Sequence, residues 1–236
     1  MYSISFYFLL FLIYSILGWI IELIGCTIAA KKLVLNRGFL IGPYCPIYGT
    51  AAIIMEVFLT PFLKRPIILF IMATVVATIL EYVTSYIMEK LFNARWWDYS
   101  NKKFNLNGRV CLENAILFGI LGIAVMYFVN PFIKGLLTNM EDISLIILAS
   151  ILLVLFIFDL IISIVIIFQI SKNTKLILLK DSTEEISKQV KMFISKNTRF
   201  KKRLLNAFPK AYNSKDNSLF DKIRNAFLEY KKENYK

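Results

Sequence analysis

Histidine is absent from all 236 residues. No imidazole general base, Ser-His-Asp triad or His-ligated metal can therefore be built from this chain. Cysteine is scarce: Cys26, Cys45 and Cys111 stand far apart, with no CxxC or other metal spacing. Three is an odd number and all sit in or beside apolar runs, so they make no disulfide framework and read as small buried hydrophobes. Charge is also sparse, at 19% of residues, against about 25% in ordinary soluble domains. A G-x-x-x-x-G-K-[ST] phosphate loop is missing, so the chain carries no P-loop nucleotide site of its own. No metal and no cofactor is expected.

What is present in excess is apolar surface. Hydrophobic residues make up 58% of the chain and the mean hydropathy is +0.62. The excess falls in long runs, which excludes a single soluble domain. A spanning helix needs roughly 20 apolar residues to cross about 30 Å of hydrocarbon. Five segments qualify, at about residues 6–30, 41–63, 66–88, 110–133 and 144–169. The expected fold is all-α, a polytopic membrane bundle of five transmembrane helices over residues 1–169, followed by a basic helical tail over 170–236. Residues 1–14 carry no Lys or Arg and no A-x-A site follows, so the first run reads as a retained helix rather than a cleaved leader.

The basic residues orient the bundle. Of 28 Lys and Arg, 25 lie in the 1–2 and 3–4 connections and in the tail, and only Lys64, Arg65 and Lys134 lie opposite. Cytoplasmic retention of positive charge then puts the N-terminus outside and the C-terminus in the cytoplasm, as for a multi-pass protein of a cell membrane. The tail holds 17 basic and 7 acidic residues. Ser182, Glu185 and the apolar set Ile186, Val190, Phe193 and Ile194 predict a capped amphipathic helix. Attraction to anionic inner-leaflet lipid explains such a tail more simply than nucleic-acid binding; a merely solvated tail is the bland alternative.

Each expected span carries an acid: Glu22, Glu56, Glu81, Glu113 and Asp159. Such groups face a bundle interior or a wet cavity. By depth, Glu22, Glu81, Glu113 and Asp159 fall in the cytoplasmic half, and Glu56 toward the outer interface. Thr74, Thr78, Glu81, Ser85 and Glu89 share one face of the third span. Arg109 and Glu113, four apart, have the spacing of a helical pair. Ala115, Gly119 and Gly122 give the fourth span a face of small residues that admits a close neighbour. Gly38, Gly42, Pro43, Pro46 and Gly49 interrupt the start of the second run, so a regular helix is expected only near Ile47. The 3–4 connection holds Arg95, two Trp, Asp98, Asn105 and Arg109, and with Arg37 it offers planar guanidinium forks for carboxylate or phosphate. The bland reading of all these groups is helix-to-helix glue.

The motifs Gly18-Trp19-Ile-Ile-Glu22, Asn36-Arg37-Gly38-Phe39-Leu40, Gly42-Pro43, Pro46-Ile-Tyr48-Gly49, Glu81-Tyr82-Val-Thr-Ser85, Arg95-Trp-Trp-Asp-Tyr-Ser100 and Asn105-Leu-Asn-Gly-Arg109 occur in this order. Together they resemble a bacterial family of ABC transporter permeases, type IV or CmpB-like, over roughly residues 6–131. The resemblance implies a transport component, with no substrate to carry over. Without a phosphate loop, ATP drive implies a separate ATPase docked on the loops or tail. Five spans are few for a whole transporter, so a homo-oligomer or a partner membrane subunit is expected. Glu22, Glu81 and Asp159 are then ion, proton or substrate contacts, and Arg37, Arg95 and Arg109 hold anionic groups or close the site. Two other classes stay open. One is a non-catalytic assembly or scaffold protein; the other is a membrane-embedded enzyme on lipid or polyprenyl-phosphate substrates.

Overall fold

The computed structural model describes residues 3–31, 40–92, 94–178 and 212–213. Helix α1 runs over Ile4–Ala30, and the Ser3 side chain opens it by accepting from the Phe6 amide at 3.2 Å. That hydroxyl satisfies one of the donors that every helix start leaves over. Residues 40–45 are irregular, and α2 begins at Pro46 and runs over Pro46–Leu59, ending in a 3-10 turn over Thr60–Phe62. Proline needs no intrahelical partner for a missing N–H at this position, which is why the helix starts there. The expectation of a late, Pro-marked start is met one residue early. Helix α3, Pro66–Phe92, also begins on a proline.

A short connection follows, containing β1 (Ala94–Arg95), β2 (Asn105–Leu106) and β3 (Val110–Cys111). Strands β2 and β3 pair antiparallel with Asn105 opposite Cys111 and Leu106 opposite Val110. Between them Asn107 and Gly108 both take positive φ, 53° and 66°, and the Arg109 amide donates to the Leu106 carbonyl at 3.0 Å. Two left-handed residues in sequence make a tight turn that matches the twist of the strands, and Asn-Gly is the pair that adopts it most readily; with Arg109 they form the three-residue loop between Leu106 and Val110. Strand β1 pairs with β4, Tyr212–Asn213.

Helix α4 spans Leu112–Ala124 and passes through a π-helical turn, Val125–Val129, into α5, Asn130–Thr138. Pro131 has no N–H to return to the preceding turn, and the widened turn sits directly before it. Helix α6 spans Asp142–Leu178. Among the described residues four stretches are long and apolar enough to cross a membrane: Ile4–Gly25, Pro66–Phe92, Leu112–Thr138 and Asp142–Val165. The second expected span is instead a shorter apolar helix, Pro46–Phe62.

In the bundle α1 packs on α2 and α6, α2 on α3, and α3 most extensively on α4. One core joins Phe6, Leu10 and Tyr14 of α1 to Ala52, Ile133, Leu137 and Leu145, and a second joins Met55, Leu59, Leu69, Ala73 and Met126. Close approach is bought with small residues. A Cβ on Gly122 would stand 2.7 Å from the Ala73 methyl, and one on Gly49 would strike the Phe11 carbonyl and Ser15 hydroxyl. Ala115, Gly119 and Gly122 are buried, as the small-residue stripe predicts. The opposite faces are apolar and exposed, among them Ile67, Ile71, Val75 and Ile79 on α3 and Val154, Phe158 and Ile161 on α6. Large exposed apolar faces on long helices are what lipid contact requires. The tail helix expected over 182–194 lies outside the described residues.

Candidate functional site

The polar groups of α1, α2, α3 and the 3–4 connection meet at one end of the bundle. Glu22, near the end of α1, accepts from the Tyr48 hydroxyl of α2 at 2.8 Å. A Cβ on Gly18 would overlap the Tyr48 ring, so glycine one turn before Glu22 makes room for the ring that reaches it. Glu81, midway along α3 and 5% exposed, accepts from the Tyr99 hydroxyl through Oε1 at 3.1 Å. Its other oxygen, Oε2, is buried without a hydrogen-bond partner among the described residues. Burial, then the charges and hydrogen bond of Glu81 and the charge of Glu22, push the Tyr99 phenol well above its ordinary value of 10.0. Tyr99 therefore keeps its proton and acts as a donor. Tyr99 itself is positioned by its amide, which donates to the Gly108 carbonyl at 2.8 Å.

One and two turns further along α3 stand Ser85 and Glu89. The Arg109 guanidinium, 8% exposed, donates to the Ser85 hydroxyl at 3.2 Å and pairs with Glu89 at 2.9 Å. It also lies over the Tyr82 and Tyr86 rings, 5.7 and 5.5 Å from their centres. The Arg109 carbonyl accepts from the Trp97 indole at 2.9 Å, and Asn107 donates to the Tyr82 hydroxyl at 3.0 Å. The shared face expected for Glu81, Ser85 and Glu89 is thus what receives the hairpin. The expected Arg109–Glu113 pair does not form. Arg109 precedes strand β3 and α4 starts only at Leu112, so helical i to i+4 spacing does not apply to it. Glu113 is exposed and pairs with Lys102 at 2.7 Å, which holds the Lys102 ammonium above its usual value.

Asp159 makes a separate cluster. Its Oδ1 accepts from the Ile41 amide at 3.0 Å and the Ser163 hydroxyl at 3.1 Å; its Oδ2 accepts from the Gly42 amide at 2.7 Å and the Tyr44 hydroxyl at 2.5 Å. Both oxygens are occupied by the irregular segment around Pro43. Among the described residues no hydrogen bond or ion pair ties Asp159 to Glu22, Glu81 or Arg109. Asp98 and Asn105 fold the connection: Asp98 accepts from Ser100, and Asn105 donates to the Lys102 carbonyl and accepts from the Gly108 amide. Arg37 and Gly38 lie outside the described residues, and Arg95 is described only as backbone of β1. Trp19, on α1, is half-buried.

Glu56, expected toward the outer interface, is packed inside the protein: it is 7% exposed and receives Lys134, Asn130 and Thr60, while Tyr14 donates to Asn130 at 3.3 Å. Lys134 comes from 78 residues further on, beyond the reach of local pattern. The Asn107-Gly108 turn, by contrast, carried a sequence signal for a hairpin that spacing of charges alone passes over. No group of three His, Cys, Asp or Glu side chains that could hold a metal occurs among the described residues.

No curated protein sequence and no solved structure matches the chain. A family model does, over residues 9–164, reaching past the expected limit near residue 131 and into the Asp159 cluster on α6. That model runs from within α1 to within α6 and takes in the whole of the polar end, and with it the chain belongs to the family described as Putative ABC-transporter type IV.

Proposed function

We propose that this chain is a multi-pass membrane transport component, a permease-like subunit with its polar site in the cytoplasmic half of the bundle. The observation that carries the reading is Glu81, a buried acid on a spanning-length helix with one oxygen unpartnered among the described residues. An acidic side chain at membrane depth costs about 2.5–3.5 kcal/mol on insertion scales. Asp159 recovers such a cost by filling both oxygens, but Glu81 does not. A buried polar group left short of partners points to work beyond folding. Glu22 and Glu81 are the proposed cargo or coupling-ion contacts, with Arg37, Arg95 and Arg109 holding anionic groups or closing the site.

The helix Pro46–Phe62 serves as a fifth crossing in this reading. Its 17 residues reach only about 26 Å at 1.5 Å per residue, and residues 40–45, held by Asp159, extend it. The Lys and Arg distribution supports an outer N-terminus and a cytoplasmic C-terminus in a cell membrane, with the tail against anionic inner-leaflet lipid. A second copy or a partner membrane subunit completes the pathway, and a separate ATPase supplies energy if ATP drives it.

A scaffold role is the second reading, favoured by the fully used oxygens of Asp159 and by the Glu56 cluster, both of which lock helices. The two readings part on Glu81→Gln. Proteoliposomes of the full chain are screened for solute-evoked currents against amino acids, sugars, quaternary amines, inorganic anions and nucleosides. Transport predicts a current that Glu81→Gln abolishes while its melting temperature stays near wild type. Glu81→Gln unfolding as readily as Gly49→Leu supports the scaffold.

A further inference from the structure

Phe104 is the least expected residue on the surface. It is 81% exposed and takes a φ of 51°, a left-handed conformation that a bulky residue adopts only at a cost of about 1–3 kcal/mol. The fold enforces this bend: the Leu112 amide donates to the Phe104 carbonyl at 3.2 Å, and Asn105 pins the next turn. Asparagine or glycine would relieve the strain, and neither is there. Leu106, two residues on, is 57% exposed.

Beside Phe104 lies a groove of about 440 Å³ lined by Lys102, Lys103, Phe104, Leu112, Glu113 and Ile116. Two lysines and one glutamate line it, and the Lys102–Glu113 pair is more than half exposed on both sides, so it is weak and exchangeable. From the groove, Leu112, Ile116 and Ile120 continue down one face of α4, all exposed. Their spacing of four keeps them in a line along the helix. A basic notch at the end of a spanning-length helix, running into an apolar stripe, matches the two halves of a phospholipid.

We propose that this groove is an anionic phospholipid site, with the lipid phosphate on Lys102 and Lys103, one acyl chain along Leu112, Ile116 and Ile120, and Phe104 inserted beside it at the headgroup boundary. The strained backbone at Phe104 holds an exposed ring at that boundary, where it serves as the anchor. The site rests on the membrane-spanning reading and is independent of what, if anything, is transported.

The test uses the full chain in nanodiscs containing photoreactive phosphatidylglycerol or photoreactive phosphatidylcholine, with crosslinks mapped by mass spectrometry. Phosphatidylglycerol should label the Leu112–Ile116 stretch in excess over phosphatidylcholine. Lys103→Gln should lower that excess about fivefold, the equivalent of roughly 1 kcal/mol per basic residue near anionic lipid. Phe104→Asn should split two readouts, raising the melting temperature in detergent while lowering labelling in the bilayer. Equal labelling by the two lipids, or labelling unmoved by either variant, overturns the site. Labelling of Ile71 and Val75 on the outer face of α3 by both lipids shows that the bundle is inserted; its absence tells against spanning itself rather than against the groove alone.

Discussion

The Gly42 amide donates to the Asp159 carboxylate at 2.7 Å across 117 residues of chain. With the Ile41 amide, the Tyr44 hydroxyl and the Ser163 hydroxyl, it makes Asp159 the acceptor for a segment that has no helix of its own to satisfy it. Irregular backbone survives at membrane depth only where protein supplies such partners. Asp159→Asn turns one acceptor into a donor facing N–H or O–H groups. We expect it to destabilise by about 1–3 kcal/mol, the cost of a buried group left unsatisfied, and Asp159→Ala by more. Thermal unfolding followed by size-exclusion chromatography checks this. A melting temperature unchanged in both variants would show that residues 40–45 hold themselves.

Arg109 and Glu89 form a largely buried pair, with side chains 10% and 16% exposed. Removing one partner of such a pair leaves an uncompensated charge and costs about 3–5 kcal/mol. Arg109→Met should therefore be severely destabilising, and Glu89→Gln combined with it should recover much of the loss. A double-mutant cycle on thermal stability measures the coupling. Arg109→Lys should not restore wild-type behaviour, because a lysine lacks the planar guanidinium that lies over the Tyr82 and Tyr86 rings while pairing with Glu89.

How far these relations could be read beforehand depends on their range. Long apolar runs located α1, α3, α4 with α5, and α6, because lipid demands length and apolarity and little else. The four-residue rhythm of Thr74, Thr78, Glu81, Ser85 and Glu89 marked the packed face of α3, and the small residues of α4 marked what packs on it. Arg109 was misread because its partner depends on where α4 starts. The two residues of β3 move that start from Val110 to Leu112 and turn the side chain toward α3. The partners of Glu56, Lys134 and Asn130, arrive from beyond a π-helical turn and leave no mark in its local sequence. The convergence of Glu22 with Tyr48 and of Glu81 with Tyr99 is a tertiary fact, visible in sequence only as motifs without a geometry.

Glycines divide cleanly by what surrounds them. At Gly25 and Gly135 a Cβ would meet nothing within 4 Å. Alanine there should stabilise by roughly 0.5–1 kcal/mol, since glycine in a helix loses more backbone freedom. At Gly49 the same change drives a methyl into the Phe11 carbonyl, and at Gly119 into the Thr74 hydroxyl and Phe70 ring. Gly49→Ala should lower the melting temperature, because the obstacle is backbone and cannot swing aside. Parallel melts of the four alanine variants give the comparison, and Gly49→Ala melting above Gly25→Ala would contradict the α1–α2 packing.

Tyr99 links the hairpin to Glu81, and its titration gives that link a pH signature. Its folded value is raised above the ordinary 10.0 by burial first and by Glu81 and Glu22 after it. A raised value means that the neutral phenol is favoured by folding. Its contribution is therefore complete below about pH 10, where an unfolded tyrosine still holds its proton, and declines as pH rises beyond that and the unfolded chain ionises first. Stability attributable to Tyr99 should be flat from neutral pH to about 9 and fall above 10. Tyr99→Phe keeps the ring and loses the hydroxyl bonded to Glu81 at 3.1 Å. It should be less stable than wild type at neutral pH, by about 1–3 kcal/mol for a hydrogen bond to a buried acceptor, and should show a shallower decline above pH 10. Melting curves of both proteins across this range decide the matter. Parallel declines in the two would mean that Tyr99 titrates as an exposed phenol and that the hairpin does not close over Glu81.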